Sequence, residues 1–446
     1  MTTHRARHLP QHQGRAAWNA ILGPAPVPTP LTGDHTADVV VIGAGFAGLS
    51  AARRLKQIDT GLDIFVLEAG RIAEGAAGRN SGFMIDIPHE LTSEDYAGAG
   101  DDRRMMALNR QAQAFGTEAV ADYGITPEFF EKVGKINGAG GAAADGQNQS
   151  LARHLEALGE PYEMLDAQAM REVTGSAFYR SGLFTPGTVM VQPAGYVRGL
   201  ADGLRRSGVT ICEESAVTGF VQQGAGWQVE TAHGTVSCGR IILTVNGHLE
   251  SFGFEQGRLM QVFLFAVMTP ELSAEHVADV GGHPRWGVTP ADPMGTTMRR
   301  IDGPLGGNRI VTRSCAALRP NMRASDQDMA RASRVMQKKF EARYPMLRGI
   351  RMDHTWAGHL CLTLNGVSVA REVADGVFSG CVQNGLGIAR GTLTGIAAAE
   401  RCLGVPSEIA AFFEAQDPPR RLPPQPFQQI GANAVLRWKE RRVGLE

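Results

Sequence analysis

A glycine-rich turn between a predicted strand and a predicted helix constrains this chain more than any other feature. Gly43-Ala44-Gly45-Phe46-Ala47-Gly48 follows a β-branched run at 37–42 and precedes a helical pattern at 47–57. In a G-x-G-x-x-G of this kind, the first glycine makes the turn, the second admits a phosphate close to the backbone, and the third lets helix and strand pack. The N–H groups at the start of the helix attract phosphates. We therefore predict a dinucleotide-binding βαβ unit.

The residue that ends the second predicted strand supports this prediction. Strand 63–67 is followed by Glu68, which stands 20 residues after Gly48. At that distance a carboxylate reaches the ribose hydroxyls of an adenine nucleotide. A glycine turn that served packing alone would leave Glu68 unexplained. The segment from about Ala37 to Glu68 is thus predicted to bind the adenine-nucleotide half of a dinucleotide.

Composition limits the classes of partner. With 446 residues, the chain is long enough for about two to three domains. Its 44 basic and 45 acidic residues give no indication of nucleic acid or an anionic membrane as a partner. The sequence shows no signal-peptide pattern and no apolar run of ~18 residues. Its six cysteines match neither zinc spacing nor a disulfide scaffold. We expect a cytoplasmic protein with reduced thiols, no metal and no membrane span.

The residues after Glu68 distinguish between dinucleotides. They read A-G-R-I-A-E-G-A-A-G-R-N-S-G over 69–82 and resemble the A-G-x-x-G-x-x-A/S-G-R-N-G-G stretch of the D-amino-acid oxidase superfamily, whose members bind FAD. I-I-L-T-V-N-G at 241–247 is similar to a family strand that returns past the nucleotide. Q-N-G-L-G-I at 383–388 is similar to a family helix start that contacts the flavin. The resemblance spans about Trp18 to Arg437 and implies non-covalent FAD.

The chain pattern and this resemblance predict a mixed α/β (α+β) fold. A Rossmann-like FAD-binding domain would be interleaved in sequence with a substrate domain built on a mostly antiparallel sheet. The predicted boundaries are 1–33 for an N-terminal arm, 34–90, 183–250 and 355–404 for the FAD-binding domain, 91–182 and 251–354 for the substrate domain, and 405–446 for a C-terminal tail.

The resemblance assigns cofactor contacts to four separated segments. The second helix start would face the flavin edge on which negative charge accumulates during reduction. The implied contacts are Gly43, Gly45, Phe46, Ala47, Gly48, Glu68, Ala69, Arg71, Ala76, Gly78, Arg79, Asn80, Ser81, Gly82, Met84, Val217, Thr244, Asn246, Gly247, Asn384, Gly385, Leu386, Gly387 and Ile388.

The chemistry implied for the substrate needs few acid–base groups. In enzymes that this chain resembles, a neutral amine passes a hydride from its α-carbon to flavin N5, and the imine then hydrolyses. An apolar cage favours that reaction because it disfavours the ammonium form. Trp356, His359 and Gln383 are the candidate catalytic residues. No triad or metal cluster is expected.

One departure from the family pattern bears on the substrate. T-W-A-G-H-L at 355–360 is similar to a family segment W-A-G-L-R-P, whose arginine clamps the substrate carboxylate. Leu360 stands at the position of that arginine. This argues against a simple α-amino acid and resembles the γ-glutamylputrescine oxidase branch, where the segment reads W-G-G-x-L-G. Arg299, Arg300 and Arg313 are alternative sources of a clamp.

We therefore expect an FAD-dependent oxidase of an amine or amino-acid derivative, with O2 as acceptor and H2O2 as product. Two alternatives stay open, a dehydrogenase that passes electrons to a quinone or carrier protein and a flavin-binding subunit of a hetero-oligomeric oxidase. An aromatic hydroxylase shares the nucleotide fold. However, S-G-C-V-Q-N at 379–384 replaces the G-D-A-x-H-type segment typical of that class.

Overall fold

The structure, a computed structural model, describes residues 2–87 and 102–446. These ranges contain twenty strands and eleven α-helices. The strands are β1 (Thr3–Arg5), β2 (Gly33–Ile42), β3 (Ile64–Leu67), β4 (Phe83–Met84), β5 (Phe130–Lys132), β6 (Lys135–Ala139), β7 (Glu163–Leu165), β8 (Ser181–Thr185), β9 (Val189–Val191), β10 (Thr210–Cys212), β11 (Gly219–Gln223), β12 (Gly226–Glu230), β13 (Gly234–Leu243), β14 (Leu259–Met268), β15 (Trp286–Pro290), β16 (Thr297–Ile301), β17 (Arg309–Leu318), β18 (His354–Thr363), β19 (Val369–Ala374) and β20 (Val377–Cys381). The helices are α1 (Ala17–Ala20), α2 (Phe46–Ile58), α3 (Asp102–Tyr123), α4 (Ala142–Leu158), α5 (Ala167–Thr174), α6 (Pro193–Arg206), α7 (Ala274–Val280), α8 (Asp326–Arg343), α9 (Gly387–Cys402), α10 (Glu408–Glu414) and α11 (Phe427–Val443).

A nine-stranded sheet contains the predicted nucleotide-binding unit. Its main order is β1-β11-β12-β13-β2-β3-β10, with β20 pairing the end of β13 and β19 outside β20. Strands β20, β13, β2, β3 and β10 run parallel. The second half of β2, Val39 to Ile42, is buried on both faces, as a central parallel strand requires. The carboxyl ends of these strands therefore meet at one edge, where ligands of such sheets bind.

Two helices that begin at this edge pack directly on each other. Helix α2 follows β2, and α9 follows β20. Almost every residue of α9 is buried, which explains its Gly- and Ala-rich sequence. A Cβ atom on Gly391 would lie 3.3 Å from the Cβ of Phe46. The small residues of α9 thus bring the two helices together and hold their N-termini side by side.

An eight-stranded sheet lies on the other side of that edge. Its order is β18-β14-β17-β16-β15-β6-β8-β7, and within it β15 and β6 are parallel. Phe263, Phe265 and Val267 of β14 pack with Ala332 and Met336 of α8 on one face. The predicted domain division placed 355–404 with the first sheet, whereas β18 pairs with β14 in the second. A third sheet, β4-β9-β5, contains three short strands.

The sequence pattern predicts a helix from about Asp326 to Arg343, and α8 has these bounds. The pattern also predicts a Gly/Ala-rich loop at 138–146, and this prediction is wrong in part. Helix α4 already begins at Ala142, after an extended Gly141, because three consecutive alanines favour helix. The N-terminal arm, predicted as extended, contributes β1, which pairs with β11 of the first sheet. The predicted boundaries near residue 90 lie outside the described residues.

Candidate cofactor and substrate site

A cavity lies between the carboxyl edge of the first sheet and the face of the second. Residues of both sheets line it, together with the first residues of α2 and α9 and residues 6 and 8–12 of the N-terminal arm. Of the predicted site residues, those that line it are Gly43, Gly45, Phe46, Ala47, Glu68, Ala69, Ala76, Arg79, Asn80, Ser81, Val217, Thr244, Asn246, His359, Gln383, Gly385, Leu386, Gly387 and Ile388. Four segments that are distant in sequence are thus brought to one site.

The three motif glycines have different environments. Gly43 has a φ of +103°, and a Cβ there would lie 2.9 Å from the carbonyl oxygen of Thr244. A Cβ on Gly48 would lie 1.8 Å from the carbonyl oxygen of Gly43, so this glycine permits close packing and does not line the cavity. A Cβ on Gly45 would have the Cβ of Ala77 as its nearest neighbour, at 3.6 Å. Gly45 therefore leaves free space on the cavity side, as close approach of a ligand requires.

Glu68 is held at the nucleotide end by the backbone. Its two carboxylate oxygens accept from Ala44 N at 2.8 Å and from Gly70 N at 3.1 Å. Burial raises the pKa of Glu68, and these backbone hydrogen bonds offset part of that increase. A carboxylate offers about four lone-pair sites, so acceptor capacity remains for hydroxyl groups.

Helix α9 presents a second N-terminus to the cavity. Gly385, Leu386, Gly387 and Ile388 line it, and no side chain caps the helix. Asn384 does not line the cavity. Its φ is +47°, and its side chain accepts from Thr363 N at 2.8 Å and donates to Val367 O at 2.8 Å. Asn384 therefore fixes the loop before the helix, and the backbone after it faces the cavity.

Comparison with known proteins identifies the family at this point. Residues 38–401 match the family described as "DAO: FAD dependent oxidoreductase". The chain belongs to this family. The cofactor of this protein is therefore FAD.

Several known proteins are similar over most of the chain. It is 26% identical to a probable oxidoreductase OrdL of Haemophilus influenzae over 86% of both chains. It is 25% identical to γ-glutamylputrescine oxidoreductase of Escherichia coli over 89% of this chain and 91% of the relative. Among solved structures, glycine oxidase from Geobacillus kaustophilus superposes with a TM-score of 0.68 at 17% identity, covering 86% of this chain and 100% of that one. This last similarity confirms the predicted fold.

The residues present fit FAD. The uncapped start of α2 faces the cavity beside Gly45, where a pyrophosphate requires N–H donors. Glu68 and Val217 also line the cavity, where they would border the nucleotide half, and the uncapped start of α9 would provide N–H donors for the flavin edge. All six cysteines are free and buried, and Cys361 is fully buried outside the cavity lining. No helix in the described ranges is long and apolar enough to cross a membrane.

Segment 69–82 divides between cavity contacts and structural support. Arg71, Gly78, Gly82 and Met84 do not line the cavity. Arg71 donates to Pro26 O at 2.6 Å, and a Cβ on Gly78 would lie 1.8 Å from Ala73 O. Met84 is fully buried, and Gly82 has a φ of +79° with the Arg299 guanidinium against it. Arg71, Gly78 and Gly82 were assigned as contacts because they belong to the family stretch, and Met84 because it follows that stretch, but none of the four lines the cavity.

Arg79 lines the FAD cavity but is held by backbone carbonyls. Its guanidinium donates to Glu74 O at 2.6 Å, Gln13 O at 3.0 Å and Ala357 O at 3.1 Å. Burial lowers the pKa of Arg79 to about 10. Arg79 therefore cross-links the N-terminal arm, the 74–80 loop and β18.

Two tryptophans outside the cavity lining donate hydrogen bonds to the 74–80 loop. The Trp356 indole donates to Arg79 O at 3.0 Å, and the Trp18 indole donates to Asn80 O at 2.8 Å. Trp356 is 1% exposed and does not line the cavity. The structure therefore does not place this candidate catalytic residue in the cavity. Gly247 is also outside the lining, because its backbone lies against Gln261. Both residues position neighbours that do line it.

His12, His248 and His359 line the cavity together with His8, and of these His248 is buried and His359 half-buried. His359 stacks on Phe263 at 5.1 Å between ring centroids and bonds Gln261 Oε1 through Nε2 at 2.9 Å. Burial is the main cause that lowers the pKa of His359 to about 3 and those of His12 and His248 to about 4. All three imidazoles are therefore neutral at physiological pH. Of the three, the sequence singled out His359 alone.

The N-terminal arm is the part of the site that sequence reasoning missed. Arg7 N donates to Ser251 O at 3.1 Å, and Gln13 O accepts from Ala357 N at 3.0 Å. Between these anchors, His8, Leu9, Pro10, Gln11 and His12 line the cavity. No motif marks this segment, since the residues that anchor it are more than 200 positions away in sequence.

The face of the second sheet forms the opposite wall. Leu264 and Ala266 of β14, Thr289 of β15, Thr297 of β16 and Arg313 of β17 line the cavity there. Phe83 and Ile85 extend this mostly apolar wall. These residues come from separate strands, and no local pattern predicts that they share a site.

Proposed function

We propose that this enzyme oxidises the C–N bond of an amine or amino-acid derivative to an imine, with O2 as acceptor and H2O2 as product. The observation that carries this proposal is the wall opposite the FAD-binding edge. It is apolar at Phe83, Ile85, Leu264 and Ala266, and a neutral imidazole, that of His359, adjoins it. The names of the relatives γ-glutamylputrescine oxidoreductase and glycine oxidase agree with an amine or amino acid as substrate.

Such a wall favours the reactive form of an amine. An ammonium ion entering an apolar cavity loses hydration, so burial shifts the equilibrium toward the neutral amine. The lone pair of a neutral imidazole is available to accept an amine N–H. Bound FAD supplies the two-electron acceptor for the hydride that leaves the substrate carbon. The protein then has to exclude water and to orient the C–H bond, and the packed sheet face does both.

The proposed cofactor contacts follow from the cavity lining. Gly43 to Ala47 and the start of α2 bind the pyrophosphate, while Glu68 accepts the ribose hydroxyls. Thr244, Asn246 and Val217 border the nucleotide. Arg79 to Ser81 and Gly385 to Ile388 border the flavin ring. Of the predicted catalytic residues, His359 and Gln383 remain candidates for substrate or flavin contact.

Anaerobic mixing of the FAD-loaded protein with a panel of amines and amino acids tests the reaction. Loss of the visible flavin absorbance with one chemical class supports C–N oxidation and names the class. Re-oxidation is then followed under air and with a soluble quinone. Rapid return of the absorbance in air, with H2O2 formed, supports the oxidase. Fast return with the quinone alone supports a dehydrogenase. No bleaching by any amine, together with bleaching by NADPH, contradicts the proposal.

A further inference from the structure

Helix α11 carries a continuous apolar stripe on its outer surface. The stripe recurs at helical spacing and consists of Phe427, Ile430, Gly431, Ala434, Val435 and Trp438, all of which are exposed. Each of its four large side chains leaves more than half of its surface open to solvent. Together they present on the order of 400–500 Å² of apolar surface, and a patch of this size on a single chain often marks a contact site. The stripe is therefore a candidate surface for binding another molecule.

The opposite face of α11 is fixed to the second sheet. Strand β16 pairs with β17 over residues 309–313, and beyond that range α11 covers this edge of β17. The Asn433 side chain bonds both backbone groups of Leu318, since Oδ1 accepts from N at 3.0 Å and Nδ2 donates to O at 3.1 Å. Glu440 accepts from Ala316 N at 2.9 Å. These bonds hold the helix to the strand, so its apolar stripe is presented in one orientation.

The order of side chains in the stripe is symmetric about a point between residues 432 and 433. Three pairs of similar side chains lie at equal distances from this point: Phe427 with Trp438, Ile430 with Val435, and Gly431 with Ala434. The pairs are aromatic, branched aliphatic and small. A two-fold symmetric contact brings the same patch of two identical chains together, so each side chain has to fit a counterpart from its own patch. The stripe meets this requirement at all six positions.

This symmetry suits an antiparallel pair of identical helices. A two-fold axis at the same point reverses the direction of the second helix, so Phe427 of one copy and Trp438 of the other lie at one level. Gly431 and Ala434 lie at the centre of the contact, where their small side chains let the two helix axes approach to about 8 Å. The aromatic pairs then pack at both ends. Bulky side chains therefore meet only where the helices leave room for them.

The same features argue against a lipid surface as the occupant. A helix that lies on a lipid surface has bulky apolar residues on one face and a free polar face rich in Lys and Arg. In α11 the centre of the apolar face is Gly431 and Ala434, and the polar face is bound to β17 through Asn433 and Glu440. The formal net charge of −1 leaves two copies with little mutual repulsion. A second copy of this chain therefore fits the stripe better than lipid does.

We infer that α11 is the contact surface of a homodimer, in which the α11 helices of two copies pack antiparallel about a two-fold axis between residues 432 and 433. This inference goes beyond amine oxidation and does not depend on it. Two stripes bury roughly 1,000 Å² in total, the lower end of specific interfaces, so we expect a reversible dimer with a Kd on the order of 1–10 μM.

Sedimentation velocity of the FAD-loaded protein, at concentrations on both sides of this Kd, measures the dimer directly. Phe427→Glu and Trp438→Lys each place a charge in the contact, and each should raise the dimer Kd at least about 100-fold, because the charge is buried without a partner. Val133→Asp is the matched control at an exposed apolar position outside α11, and it should leave the Kd unchanged. An FAD content equal to that of wild type shows that each variant is folded.

A mixture of the two variants tests the antiparallel register. In a mixed dimer, the new carboxylate at position 427 of one chain lies at the level of the new ammonium at position 438 of the other. The second aromatic pair stays intact. We therefore expect the equimolar mixture to sediment as a dimer, with a Kd within about tenfold of the wild-type value, although neither variant dimerises alone.

Three results would overturn the inference. The first is a wild-type protein that stays monomeric well above the expected Kd. The second is a dimer that survives both Phe427→Glu and Trp438→Lys, and the third is a mixture of these variants that stays monomeric. If the wild-type monomer instead cosediments with vesicles that contain phosphatidylserine, and Trp438→Lys abolishes this binding, the stripe is a membrane contact and the homodimer is rejected.

Discussion

A Cβ atom on Gly395 would lie 2.1 Å from the carbonyl oxygen of Ala47, so α9 and α2 touch backbone to backbone at this point. Both helices begin at the FAD cavity, one beside Gly45 and the other at Gly387. The contact therefore fixes the separation of the two helix starts that offer N–H groups to the cofactor. It therefore also sets the separation of the pyrophosphate and flavin sites proposed above.

Replacing Gly395 by alanine should separate the helices. Because the opposing atom is backbone oxygen, the clash cannot be relieved by a rotamer change, and we expect a loss of about 1–3 kcal/mol in unfolding free energy. FAD affinity should fall as well. Thermal unfolding and the fluorescence of released FAD measure the two effects.

Gly431→Ala provides a matched control on helix α11. A Cβ there meets no described atom within 4 Å. The substitution should be neutral or stabilise by up to about 1 kcal/mol, because alanine has the higher helix propensity. Equal melting temperatures for Gly395→Ala and wild type would show that the helix contact relaxes.

Glu68→Gln should weaken FAD binding. The amide keeps one oxygen for the backbone N–H groups of Ala44 and Gly70 but turns an NH2 group toward the other. We expect a roughly 10–100-fold increase in the Kd for FAD, the effect of losing charge-assisted hydrogen bonds. Titration of the apoprotein with FAD measures it. Glu163→Gln, on the exposed strand β7, should leave the Kd unchanged. A wild-type Kd for FAD in Glu68→Gln would show that the Glu68 carboxylate does not contact FAD.

The three cavity histidines with lowered pKa values should make stability depend on acid pH. Folding lowers the pKa of His359 from 6.5 to about 3 and those of His12 and His248 to about 4. The unfolded chain therefore binds protons that the folded chain does not. Their contribution to stability is complete above pH 6.5 and is lost as pH falls toward 3–4.

His359→Gln should flatten part of this dependence. Urea unfolding at pH 7.5 and pH 5.0 gives the change in free energy for each variant. We expect a smaller loss between these pH values in His359→Gln than in wild type. His233→Gln, at an exposed position, should behave as wild type does. An unchanged pH dependence in His359→Gln would mean that His359 is protonated in the folded protein.

Removal of residues 2–12 should weaken FAD binding. These residues form β1 and one wall of the cavity, so their deletion opens the site to solvent. We expect faster FAD release in stopped-flow dilution and a higher Kd, with the second sheet intact by circular dichroism. Val27→Ser, at a position that is 87% exposed in the same arm, is the control. FAD release at the wild-type rate would show that the arm covers the cavity without retaining the cofactor.

The sequence by itself determined the elements whose signals are local. The strand, glycine turn, helix and acid at 37–68 are read within about 30 residues. The bounds of helix α8 were also predicted from the local pattern, and in the structure Ser325 and Asp328 form a capping box at its start. Family resemblance in four short segments then indicated FAD, and the family match confirms it.

Tertiary structure decided which of the candidate side chains reach the cavity. Arg299 and Arg313 are indistinguishable as arginines on predicted strands, yet one donates to backbone carbonyls and the other faces the cavity unpaired. That difference depends on strand register, which alternates side chains between two faces and is set by pairing over long sequence distances. Trp356 packs behind the 79–80 loop for the same reason, and the arm reaches the site through contacts with residues 251 and 357. Local periodicity carries no information about such contacts.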